Sequence, residues 1–219
     1  VVNRFPVEFI HYDRTRIIAQ DFLKKHHPSL KIPIPIEKIV DNIFRIDIIP
    51  IPGLLRDLSS IGSTTVGFIS GDLKSIYVDD YIAENNARMY RFTLAHEIGH
   101  SILHKKVYKN LPFDSIDSYI DFIMQFQEDD ESFKWYEMQA NNFAGLVLVP
   151  SDKLELSIQR AVTIFRNEKA KRKADFKDID QDEIWAYLCN FVADEFAVSS
   201  DVIRLRVQFD NLRDRFKAL

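Results

Sequence analysis

The chain has 219 residues, 46% hydrophobic and 28% charged, enough for one substantial core and a small second domain. Its formal net charge of −4 supplies no global attraction for nucleic acid, and no run approaches the roughly eighteen apolar residues of a membrane-spanning helix. Val1 to Ile10 lack the build of a signal peptide and the single cysteine, Cys189, excludes an internal disulfide, so a reducing, cytoplasmic setting is expected.

The first predicted element is an amphipathic helix within Glu8 to His27, where Phe9, Ile10, Ile17, Ile18, Phe22 and Leu23 roughly follow a helical period. Pro28, Pro33 and Pro35 end it. Ile36 to Phe44 is a short second helix, and the isoleucine-rich Arg45 to Ile51 is a strand. His11, His26 and His27 show no ligand spacing and are assigned to surface or packing roles. Thr64 to Ser70 and Lys74 to Asp79, separated by Gly71-Asp72, read as a hairpin. Val66-Gly67-Phe68-Ile69 is taken as an ordinary sheet strand, the alternative being an edge to which an extended peptide adds.

A helical pattern begins after Asp79-Asp80 and carries through Arg88, Phe92, Ala95, Gly99 and Ile102. Within it lies His96-Glu97-Ile98-Gly99-His100, an H-E-x-x-H arrangement. Residues four apart on a helix differ by about 40° of rotation and about one turn of rise, so His96 and His100 converge on one zinc ion. Glu97 then sits beside the metal without ligating it. Gly99 lowers helix propensity by about 1 kcal/mol relative to alanine, which points to close approach of another backbone. On a straight helix His104 would lie about 80° and about 12 Å from His96, too far for the same ion, and it is assigned to supporting a ligand from behind or to core packing.

Leu111 to Phe133 carries Asp114, Asp117, Asp121, Glu128, Asp129, Asp130 and Glu131 with no Lys or Arg. From Trp135 to Pro150 a helix is predicted, with Ala140, Phe143, Ala144, Val147 and Leu148 on its buried face and Pro150 at its end. Glu137 falls on or beside that face. A carboxylate there is costly unless paired or metal-bound, so Glu137 is the third ligand of a two-His, one-Glu site with a position open to water. Asn141, one turn later, is placed to orient a ligating histidine. Imidazole and carboxylate ligands also suit other divalent ions.

Here the pattern resembles a known family. Ala95-His96-Glu97-Ile98-Gly99-His100, Glu137-x-Gln139-Ala140-Asn141-x-Phe143-Ala144 and Leu148-Val149-Pro150 are similar to the ImmA/IrrE zinc metallo-endopeptidases. The similarity is strong from about Gly67 to Pro150. It implies an α+β, zincin-like domain over residues 1–150, with a small antiparallel-containing sheet packed on the H-E-x-x-H helix and a second, ligand-bearing helix. It also implies one zinc ion on His96, His100 and Glu137, Glu97 as catalytic base, and a helix-turn-helix repressor as protein substrate.

Residues 151–219 carry 13 charges of each sign and are expected to form a small all-helical region. Ser151-Asp152 reads as a helix cap leading a run through Arg166. Asn167 to Asp182, with Lys169, Lys171, Arg172 and Lys173, reads as a solvated connector. Glu183 to Phe196 is helical, and Ala193 to Arg206, with Ser199 as cap, resembles a helix-turn-helix, the equal alternative being a two-helix corner used only for packing. Balanced charge argues against strong phosphate binding. Cys189, in a helical setting, reads as a buried structural thiol. Two functions therefore stand: a zinc endopeptidase cleaving a repressor, or a metal-bound regulator that docks a repressor or DNA through its C-terminal helices without proteolysis.

Overall fold

A computed structural model describes residues 7–59, 66–108, 115–124, 131–171 and 180–216. It is a mostly helical α+β structure with a small mixed sheet, and its contacts divide the chain into two units. The first comprises Val1–Pro28 and Pro35–Val147; the second comprises Ser29–Ile34 and Leu148–Leu219.

The first unit opens with α1 (Tyr12–His26), whose buried residues include Ala19, Phe22 and Leu23. The Nδ1 of His11 caps it by accepting from the Asp13 N–H at 3.4 Å, and the His26 ring packs on Phe22 and Phe44. These two histidines thus do local structural work. After α2 (Ile36–Lys38, continuing as a π-helical turn, Ile39–Phe44) come β1 (Asp47–Ile51), α3 (Leu54–Ser59), β2 (Gly67–Ile69) and β3 (Ser75–Asp79).

β3 is the central strand of the order β1-β3-β2. β1 pairs with it in parallel, Ile49 opposite Tyr77, and β2 antiparallel, Phe68 opposite Tyr77. The hairpin forms where the alternation predicts it, with Thr64 and Thr65 outside the described residues. Leu73 (φ 61°) takes the left-handed position of its turn, and the Ser70 hydroxyl accepts from the Ser75 N–H. β2 lies at the sheet edge, so the Val66 to Ile69 run has the position of the alternative reading.

The long helix predicted after Asp80 is in fact two. α4 (Asp80–Asn85) ends at Asn86, which leaves helical geometry at φ −133°, ψ 73° and accepts from the Met89 N–H at 3.1 Å as the N-cap of α5 (Ala87–Leu103). Asparagine favours this role because its short carbonyl reaches the unpaired N–H groups of the first turn. Short α6 (Lys105–Tyr108) and α7 (Ile116–Met124) follow, then α8 (Glu131–Leu148). Within the acidic segment, α7 contains Asp117 and Asp121; the remaining acidic residues up to Asp130 lie outside the described residues.

Gly99 brings α5 against α8, since a β-carbon there would stand 3.1 Å from Phe143 Cδ1. Phe143 in turn meets Phe22 of α1 edge-on at 5.5 Å. A fully buried aromatic thus fastens three helices over one face of the unit.

In the second unit, α9 (Ser151–Lys171) is longer than expected: it continues past Arg166, with Lys171 bonded to Glu168 at 3.0 Å and Lys169 over the Phe165 ring. Ser151 is its first helical residue and not its cap; its hydroxyl accepts from Arg206 at 2.9 Å. Asp180 and Glu183 form a reciprocal capping box at the start of α10 (Gln181–Phe196). Ala197 turns the chain in left-handed geometry, and Ser199 accepts from Val202 N–H to cap α11 (Ser200–Phe209), followed by α12 (Leu212–Arg215). No helix of the described residues is long and apolar enough to cross a membrane.

Candidate metal centre

The site is assembled from two turns of α5 and two of α8. His96 and His100, four apart, project from one side of α5, and their Nε2 atoms lie 2.8 Å apart. Glu137 reaches across from α8, with Oε2 3.3 Å from His96 Nε2 and Oε1 3.8 Å from His100 Nε2. Atoms bound to one tetrahedral zinc at about 2.0–2.1 Å are about 3.3 Å from one another. The three measured separations bracket that value, so the donor set fits a single ion. Among the described residues this is the one group of three or more His, Cys, Asp or Glu side chains so placed.

Glu97 lies beside the cluster without joining it. Its Oε1 is 3.9 Å from His96 Nε2, and its Oε2 accepts the Ile69 N–H of β2 at 2.8 Å. The sheet edge therefore aims this carboxylate. Burial, reinforced by the charge of Glu137, pushes Glu97 up to about 8 against the opposing pull of His96 and the Ile69 N–H. Burial disfavours a charged His96, yet the hydrogen bond and charge of Glu137, with Glu97, outweigh it and raise His96 to about 9. The carboxylates thus favour a positive charge at that nitrogen, which a proton or a metal ion can supply. His100 is lowered well below its ordinary value by burial and by its two histidine neighbours, keeping the neutral form that ligates.

Asn141 Oδ1 lies 3.0 Å from His96 Nδ1 and accepts its N–H, leaving Nε2 free to face the cluster. His104 is not among the clustered residues. It sits just past the end of α5, where the chain has left helical geometry (φ −116°, ψ 22°), so the straight-helix distance does not describe it. Its Nδ1 meets His100 Nδ1 at 3.0 Å, and its Nε2 meets Gln139 at 3.0 Å.

Two residues beside the cluster had no role assigned from the sequence, although Gln139 belongs to the Glu137 to Ala144 pattern. Tyr136 stacks on His100 at 3.9 Å between ring centroids and also packs on His104, while its hydroxyl meets that of Tyr108 at 2.5 Å. Gln139 is fully buried. The available signal was helical spacing: Tyr136, Gln139, Ala140 and Phe143 occupy one face of α8, and an amide on an otherwise apolar face needs a partner. Beside the cluster, Val66, Gly67, Met89, Phe92 and Thr93 help line a cleft of about 180 Å³.

The helix-borne H-E-x-x-H, the carboxylate from a second helix and the edge strand at the base define a zincin-type metallopeptidase. The family model described as the IrrE N-terminal-like domain (Peptidase_M78) matches residues 74–208, and the chain belongs to the ImmA/IrrE metallopeptidase family. The matched region includes both clustered helices and extends through α9 and α10 into α11, beyond the Gly67 to Pro150 stretch on which the sequence resemblance rested. No curated protein matches the chain.

Proposed function

We propose that this protein is a zinc-dependent endopeptidase of the cytoplasm that cleaves a regulatory protein, a helix-turn-helix transcriptional repressor being the substrate its family resemblance implies. In this reading His96, His100 and Glu137 hold the metal and Glu97 is the catalytic base. The placement of Glu97 carries the proposal: a buried carboxylate held beside the cluster, bonded to the sheet edge, has no purpose in a purely structural site.

When bound, the metal supplies Lewis-acid polarisation of the scissile carbonyl and lowers the pKa of attacking water. Glu97 takes the proton from that water and delivers it to the departing amide nitrogen. Burial and the Ile69 N–H hold its carboxylate in place for both transfers. Asn141 keeps His96 turned toward the cluster. The cleft beside Met89 and Phe92 accommodates the substrate chain, and β2, at the edge of the sheet, offers main-chain groups to it.

The experiment is metal analysis joined to a cleavage assay against the repressor encoded beside this protein's gene. Wild type is expected to hold one zinc and cut the repressor. Glu97→Gln should retain the metal and lose activity by about 10²- to 10⁴-fold. Binding of the repressor that survives metal removal and Glu97→Gln, with no cleavage by either protein, would establish the non-proteolytic docking function instead.

A further inference from the structure

We propose that Gln139, held in one orientation by the main chain at Glu8, is a positioning residue that sets the tautomer of His104 and, through it, the ligating face of His100. The inference rests on the assignment of His96, His100 and Glu137 as metal ligands.

Each step of the chain forces the next. Gln139 Nε2 lies 3.1 Å from the carbonyl oxygen of Glu8, and a carbonyl can only accept, so the amide nitrogen must point there. The amide oxygen then faces His104 Nε2 at 3.0 Å and can only accept, so that nitrogen carries a hydrogen. His104 is 3% exposed, and of the two Nδ1 atoms that face each other at 3.0 Å one must accept. With its hydrogen on Nε2, its Nδ1 is an acceptor. The His100 Nδ1 at 3.0 Å must therefore donate, which leaves the His100 Nε2 lone pair facing His96 and Glu137. Tyr136, stacked on the His100 ring and tilted against that of His104, limits their rotation.

The two clustered histidines are thus held by different means. His96 depends on one bond to the exposed Asn141, whose place water can take. His100 depends on a buried relay with no solvent access at Gln139. The relay ends at Glu8, outside the family-matched residues 74–208, so the segment before α1 is part of the metal centre's support. Phe9, the next residue, packs edge-on against Trp135 of α8 at 5.5 Å and ties the same segment to the same helix.

The test measures Co²⁺ and Zn²⁺ affinity by competition with a chromophoric chelator, and the visible spectrum of the Co²⁺ form, for wild type, Gln139→Leu, His104→Phe and the double variant. Circular dichroism checks that each metal-free protein is folded, and Gln139→Met replaces Gln139→Leu if the latter is not. Each single variant should lose about 10- to 100-fold in affinity and alter the Co²⁺ spectrum. The double variant should lose no more than the worse single one, because both interrupt one relay. Unchanged affinity in a folded Gln139 variant, or losses that multiply in the double variant, would overturn the inference. Wild type that binds neither metal would overturn the metal-site assignment itself, a separate outcome.

Discussion

Gly99 on α5 lies against the main chain of Ala140 on α8: a β-carbon on Gly99 would stand 3.3 Å from both the Cα and the carbonyl oxygen of Ala140. This approach lets Glu137, one turn earlier on α8, reach the two histidines. Gly99→Val is expected to destabilise the protein by about 1–3 kcal/mol through overpacking and to weaken metal binding as the helices part. Gly99→Ala should cost less, because neighbours need yield only a few tenths of an ångström and alanine recovers about 1 kcal/mol of helix propensity. Urea unfolding and metal titration of both variants check this; a Gly99→Val protein as stable and as metal-tight as wild type would exclude it.

Glu137 and Asn141 lie one turn apart but play unequal parts. Glu137→Gln removes an anionic donor from the cluster and should lower zinc affinity by more than about 100-fold. Asn141→Ala removes only the acceptor for His96 Nδ1 and should cost about tenfold. Equal losses in the same competition titration would contradict the assignment of one as ligand and the other as support.

In the second unit, Arg206 is 3% exposed and donates to the Val149 carbonyl, the Ser151 hydroxyl and the Asp210 carboxylate. It stands in the helix-turn-helix-like segment but faces inward, away from any phosphate. Arg206→Ala leaves Asp210 buried without this partner and should destabilise the protein by about 3–5 kcal/mol. Thermal unfolding measures this, and a shift no larger than that of an exposed substitution such as Arg204→Ala would refute it.

Cys189 is buried on α10, and burial pushes its thiol up to about 11 from an ordinary value of 9.0, Arg213 and Arg204 pulling the other way. The folded protein should therefore resist alkylation by iodoacetamide at pH 8, whereas urea-unfolded protein reacts. Between pH 9 and 11 the unfolded chain loses this proton while the folded one keeps it, so the contribution to stability falls as pH rises. Cys189→Ala should flatten that part of the stability profile; an unchanged slope would show that Cys189 does not contribute.

Much of the centre was legible because local periodicity carries it. H-E-x-x-H specifies its own geometry once α5 forms, and Glu137 stands out as a carboxylate beside an apolar helical face. The break at Asn86 was less visible, since the apolar pattern continues across it and only the cap interaction with Met89 reveals the new helix. The length of α9 was misjudged because its lysines look like a connector until Glu168 and Phe165 are seen to hold them.

The sequence by itself determined that His96 and His100 present their side chains to one side of their helix, because helical spacing converts residue order directly into direction. Only the tertiary structure decided that β2 would hold Glu97 through the Ile69 N–H, that His104 would leave the helix to meet His100, and that Gln139 would connect it to Glu8. Those contacts join residues 28, 35 and 131 positions apart, in addition to one across a helix end. No local period encodes them; they exist because buried polar groups must find partners wherever the fold brings them.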